Sequence, residues 1–272
     1  MNFISTEKKR TAILIPSLYA LLFYFVLVPP IAQDPAYHVF ADTRIWGGVP
    51  NCLNVISNLA FLGVGFWGWS LYRDGCLIHD NQENYPVYAV FFIGVMLSGF
   101  GSAYYHWAPG NGPLVWDRLP MTLSFAAFLV AILSEYVEPG IERRLLYPLV
   151  GLGLFSVIYW YLTERFGRGD LRLYALIQFA PLLIIPAICL NFHSRFSRHG
   201  DIYAVLALYV VAKIAEYFDQ PLFDFTGVGG HAWKHLLAAL AAFGVLRMLR
   251  LRRRLPETLP VPPALQKKQL AA

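Results

Sequence analysis

The sequence predicts an all-α, polytopic membrane helix bundle, and three observations carry that prediction. Of 272 residues, 57% are hydrophobic and only 14% charged, whereas a soluble globular chain carries about 25% Asp, Glu, Lys and Arg. The apolar residues gather into windows near the roughly 20 residues that cross a bilayer core of about 30 Å. Aromatic side chains make up 16% of the chain, a bias that suits headgroup-level belts as well as helix packing.

Eight windows come near that length: Ala12 to Ile31, Leu53 to Tyr72, Pro86 to Tyr105, Leu119 to Leu133, Leu145 to Thr163, Leu173 to Leu190, Ile202 to Phe218 and Trp233 to Leu249. The first follows Lys8, Lys9 and Arg10 as a signal peptide would. It is long, however, lacks a small-residue cleavage site and carries Pro16, Pro29 and Pro30, so a retained helix is expected. Residues 1–255 thus form one transmembrane helical domain, with no internal repeat and no separate soluble domain. The stretch 256–272, with Pro256, Pro260, Pro262 and Pro263, reads as a disordered basic tail.

Orientation follows from the basic residues. With both termini cytoplasmic, the inside receives Lys8, Lys9, Arg10, Arg73, Arg143, Arg144, Arg195, Arg198 and the cluster from Arg247 to Arg254, while the outside keeps Arg44, Arg118, Arg165, Arg168 and Arg172. The net charge of +5 therefore belongs to the termini and cytoplasmic loops. No aromatic-interleaved basic face exists, which excludes nucleic acid as a partner. Cys52, Cys76 and Cys189 are odd in number and show no CxxC spacing, so neither a disulfide framework nor a thiolate metal site is indicated. No small-xxx-small face stands out, and the oligomeric state is unreadable.

Ionisable groups inside membrane helices cost about 2.5 to 3.5 kcal/mol each on insertion scales and are functional candidates by default. The third window ends Gly99-Phe100-Gly101-Ser102-Ala103-Tyr104-Tyr105-His106, the fourth is preceded by Trp116-Asp117-Arg118, and the eighth by Gly229-Gly230-His231-Ala232. On the orientation above, all of these lie at one depth near the non-cytoplasmic face. His231 and His235 are four apart, which puts both imidazoles on one helix face, and His106 can supply a third nitrogen. Three neutral imidazoles with one open position suit a catalytic zinc, whose bound water has a pKa near about 7. Ser102 lies one turn from His106 on the same face, and Asp117 adds a carboxylate able to shuttle a proton. Haem between histidines would need them on facing helices, which the HxxxH spacing does not provide.

Other polar residues have blander readings. His38, His79, His193 and His199 sit among polar loop residues and are expected to be solvated. Lys213 and Glu216 are expected to form a buried ion pair between helices. Glu135 and Asp219, near helix ends, are expected to reach water, and Lys234 to snorkel to the headgroups.

These motifs, together with Asn54-Val55-Ile56-Ser57-Asn58 and Asp117-Arg118-Leu119-Pro120-Met121, resemble the alkaline ceramidases, membrane hydrolases of a superfamily that includes the adiponectin-type receptors. The resemblance implies a seven-helix core over 52–250, with 12–31 as an added N-terminal helix. It implies Zn2+ held by His106, His231 and His235, with Ser102 and Asp117 as catalytic neighbours. Hydrolysis of the amide bond of a ceramide-like N-acyl lipid, to a fatty acid and a sphingoid-type amine, follows as the expected activity. A zinc-containing membrane receptor or sensor without turnover is the alternative, and Asp117 as a direct fourth ligand would favour it. The family also implies an acidic calcium site ahead of Asn54. Here Asp42 and Asn51 are a poor supply for the six to eight oxygens of Ca2+, which leaves that site in doubt. Asp42 is expected to pair with Arg44 in an exposed loop.

Overall fold

The computed structural model describes residues 24–79 and 86–256. Residues 12–23 of the predicted first helix and 257–272 of the predicted tail lie outside the described residues; residues 24–27 form one helical turn. Among the described residues there are nine α-helices and no β-strand: α1 (Cys52–Ile56), α2 (Leu59–Arg73), α3 (Val87–Trp107), α4 (Asn111–Tyr136), α5 (Glu142–Arg165), α6 (Arg172–Asn191), α7 (Gly200–Tyr217), α8 (Asp219–Thr226) and α9 (Gly230–Leu251).

Six of these segments are long and apolar enough to cross a membrane, α1 and α2 counting as one 22-residue span with a break at Ser57 and Asn58. The chain is a multi-pass membrane protein. Helices pair the backbone N–H and C=O groups of their interiors within the segment, which a lipid environment demands. The longest, α4, has 26 residues and reaches roughly 39 Å at 1.5 Å per residue. The window Ile202 to Phe218 does form a helix, but α7 has 18 residues and carries Asp201, Lys213 and Glu216, so it falls short of the apolarity of the other six.

Helices α3, α4 and α9 form the centre, since they bury the largest share of their apolar windows; α5 and α6 are peripheral and turn Tyr147, Phe155, Leu183 and Leu190 outward. Helix α3 packs most extensively on α4, α9 on α7, and α2 on α3. A large core cluster unites Phe92 and Val95 of α3, Val130 and Ile132 of α4, Ile185 of α6 and Leu246 and Leu249 of α9. A smaller one, with Phe40, Tyr105, Leu114, Trp160 and Tyr174, fills the end of the bundle where the histidines lie.

Two close approaches set the register at that end. Pro120 lies inside α4, and its missing N–H leaves the carbonyl of Trp116 without its intrahelical donor. That carbonyl meets the backbone of Gly101 so closely that a Cβ there would sit 1.9 Å from Trp116 O. In the same way a Cβ on Gly230 would sit 2.1 Å from Ala215 O, so only glycine lets the start of α9 reach the end of α7.

The opposite end is tied by charge. Glu135 is expected to reach water from its helix end, yet it is 3% exposed. Its carboxylate accepts from Arg252 at 2.6 and 2.7 Å and from Tyr88 Oη at 2.7 Å. Arg252 also donates to Ile78 O at 2.6 Å and lies over the Phe196 ring. The pair clips the segment after α9 to α4 and to the segment after α2, which explains why a charge near a helix end turns inward. Replacing one member leaves a buried charge uncompensated, at a cost of about 3–5 kcal/mol. Glu135→Ala is therefore expected to lower the melting temperature sharply in detergent micelles, and the double change Glu135→Leu with Arg252→Met to recover most of the loss. A single variant that melts with the wild type would contradict this role.

Candidate metal centre

The three predicted histidines meet. His106, in the last turn of α3, and His231 and His235, in the first turns of α9, have ring centroids 4.7, 4.8 and 5.1 Å apart. All three are buried. One nitrogen from each lies within 4.8 Å of the others, and among the described residues this is the one group of three or more His, Cys, Asp or Glu side chains with such spacing. The antiparallel course of α3 and α9 brings the end of one beside the start of the other, so residues more than a hundred positions apart share a level.

The donor set fits a metal. His106 Nε2 and His235 Nε2 are 3.2 Å apart, and two nitrogens bound at about 2.0–2.1 Å to a tetrahedral zinc are about 3.3 Å apart. His106 Nδ1 is enclosed and lacks a hydrogen-bond partner among the described residues. His235 is oriented from behind: Ser57 Oγ lies 2.8 Å from its Nδ1, which leaves Nε2 facing the cluster. Such a partner to the second ring nitrogen fixes the tautomer and the ring's direction in metal-binding histidines.

The break between α1 and α2 presents that serine, whose hydroxyl lies also 3.1 Å from Asn54 O. The predicted set omits Ser57; its signal in the sequence is a hydroxyl among apolar residues, within Asn54-Val55-Ile56-Ser57-Asn58. Asn51, in the left-handed conformation that Asn tolerates, starts α1 and donates from Nδ2 to His106 O at 2.9 Å. Phe40 closes the outer side, with its ring 4.7 Å from that of His106 and 5.0 Å from that of His231.

Ser102 and Asp117 fall where the spacing places them. Ser102 Oγ is 3.4 Å from His235 Nε2, and the Asp117 carboxylate faces Ser102 from α4, a consequence of the Gly101–Trp116 approach one residue away from each. Asp117 is not part of the three-histidine group. Ser102, Asp117 and His235 line a cavity of about 410 Å³ that continues into the bundle between Phe91, Phe128, Ile185 and Val245. That volume lies within the roughly 300–1,000 Å³ of small-molecule sites, and most of the wall is hydrocarbon.

Several blander expectations are corrected. Lys234 does not snorkel: its Nζ lies 2.9 Å from Glu216 Oε1 and 3.1 Å from His231 Nε2. Three residues after His231 it stands about 60° from it on the helix, so it turns inward beside that ring. Lys213 pairs with Glu216 within α7, and the interhelical partner of Glu216 is Lys234; Tyr37 Oη adds a bond at 3.2 Å.

His38 is not simply solvated, since it bonds Tyr105 Oη at 3.0 Å and Asn111 Oδ1 at 2.9 Å. His79 stacks on Tyr72 and packs on Tyr88, whereas His193 and His199 are exposed. Asp219 is occupied by backbone donors, accepting from Ala41 N and His231 N, each at 2.9 Å, and so caps α9. Asp42 pairs with Arg44 as expected, at 2.6 and 2.8 Å, but it is buried. Hydrogen bonds from the Arg44 guanidinium hold its carboxyl below the usual carboxylate range.

No protein-family model matches the chain, and neither curated proteins nor solved structures provide a match. Ser57→Ala is expected to weaken metal affinity about 10–100-fold, the usual cost of losing such a partner, measured by chelator competition on the purified chain. An affinity within twofold of the wild type would remove Ser57 from this role.

Proposed function

We propose that the chain is a zinc-dependent membrane amidohydrolase that cleaves the amide bond of a ceramide-like N-acyl lipid into a fatty acid and a long-chain amine. The observation that carries this reading is the junction of a buried three-histidine cluster with an apolar cavity, bridged by Ser102, Asp117 and His235. The basic residues Arg73, Arg143, Arg144, Arg195 and Arg250 sit at the end of the bundle opposite the histidines, which supports cytoplasmic termini and a site near the non-cytoplasmic face.

When bound, zinc supplies a Lewis acid and a water acidic enough to ionise near neutral pH. The chain's own groups supply the rest. Asp117 accepts the proton released as the nucleophile forms and returns it to the departing nitrogen, the work of a positioned general base and acid. Ser102 Oγ donates to the carbonyl oxygen as charge develops there. The cavity takes the acyl chain from the surrounding lipid, so the substrate need not pass through water. Asp117 stands outside the three-histidine group, and a metal that those three imidazoles would hold could keep a position for water, as catalytic sites do and closed structural sites do not.

Metal analysis of the purified chain is expected to find about one zinc per molecule. His231→Ala should lose both zinc and turnover, whereas Asp117→Asn should keep zinc and lose about 10²–10⁴-fold in rate, the range of general acid–base catalysis. If the zinc-loaded wild type left every N-acyl lipid intact, this function would be wrong.

A further inference from the structure

Among the described residues, four cations that turn into the bundle are ion-paired. Arg252 pairs with Glu135, Arg172 with Asp170, and Lys213 and Lys234 with Glu216. Arg118 forms no ion pair among the described residues, although it is only 5% exposed. Its Nη2 donates to Gln33 Oε1 at 2.8 Å, while its Nη1 is enclosed and has no hydrogen-bond partner among the described residues. The guanidinium lies over the rings of Trp160, Tyr174 and Tyr37, at 4.2, 4.7 and 5.6 Å from their centroids. Those faces hold its orientation but accept none of its in-plane N–H donors. Arginine so deep in a protein is normally paired, and this one lines the same cavity as Ser102 and Asp117.

Position along the cavity gives the free donors a meaning. Gln33, Trp160 and Tyr174 all lie at the histidine end, whereas Phe91, Phe128, Ile185 and Val245 line the cavity toward the other end. An N-acyl lipid with its chain among the latter and its amide at Asp117 directs its polar half at Arg118. We propose that Arg118 binds an anionic group, a carboxylate or a phosphate monoester, on the amine half of the substrate. The planar fork of the guanidinium matches either oxyanion in a bidentate manner. This assignment rests on the hydrolase reading and narrows its substrates to anionic N-acyl lipids.

Matched pairs test it on the full-length, zinc-loaded chain: N-palmitoylglycine against N-palmitoylethanolamine, and ceramide 1-phosphate against ceramide with the same acyl chain. At least one anionic member is expected to exceed its neutral partner tenfold or more in kcat/KM, about 1.4 kcal/mol; which pair does so tells carboxylate from phosphate. In Arg118→Gln that ratio should fall to about one, and in Arg118→Lys, which keeps charge without the fork, to an intermediate value. Because the ratio is read within each variant, a general loss of folded protein cancels; should Arg118→Gln not fold, Arg118→Lys carries the comparison. Ratios near one for both pairs in the wild type, or a ratio untouched by either substitution, would overturn the assignment. If no lipid is cleaved the hydrolase reading fails by itself, and direct binding of N-palmitoylglycine against N-palmitoylethanolamine then decides the role of Arg118, again with tenfold as the expected difference.

Discussion

The contact between the Gly101 backbone and the Trp116 carbonyl sets the distance between α3 and α4, and the site is built outward from it. Proline at position 120 removes the donor that would have occupied that carbonyl, and glycine at 101 removes the Cβ that would have blocked the approach. The next residue on each side is a candidate for chemistry, Ser102 on α3 and Asp117 on α4. Helix backbones this close leave little freedom for either side chain to drift. A second contact of the same kind, Gly230 against Ala215 O, brings the start of α9 into place and with it two of the three imidazoles.

Around this frame the polar groups form a connected belt, because a bundle in lipid has no water to satisfy them. Asp219 takes up the N–H of His231 and that of Ala41, so one carboxylate caps α9 and holds the segment that carries Phe40. Glu216 joins α7 to α9 through Lys234 and to the same segment through Tyr37. Asn51 and Ser57 fix α3 and His235 from the side of α1. The stretch from Gln33 to Asn51 thus acts as a strap across the histidine end, fastened by Arg118, Glu216, Tyr105 and Asp219. The three histidines, Asp117 and Arg118 all lie at the end of the bundle that this strap crosses.

The other end of the bundle is held by a buried ion pair. Glu135 and Arg252 form a two-pronged pair roofed by Tyr88 and Phe196, and backbone bonds join Ile78 to Leu249 and Leu255 to Arg195. Ser134 adds a buried hydrogen bond to Glu142 at 2.6 Å, and an apolar cluster fills the space between the helices. At the histidine end, His106 Nδ1 and Arg118 Nη1 are enclosed without a hydrogen-bond partner among the described residues, which is uncommon for buried polar groups.

Much of this was legible in the chain. Runs of apolar residues determine that the helices exist and cross a bilayer, since hydrophobic length is a local property. The four-residue interval places His231 and His235 on one face because helical geometry is also local, and the alternation of helix directions brings His106, Ser102 and Asp117 to the same level. Partners at a given level were not legible. Whether Lys234 turns outward or toward Glu216, whether Glu135 meets water or Arg252, and which hydroxyl stands behind His235 depend on the rotation of each helix about its axis and on its distance from its neighbours. Those quantities are set by glycines, freed carbonyls and side-chain volumes distributed over several helices at once, and only the packed bundle decides them.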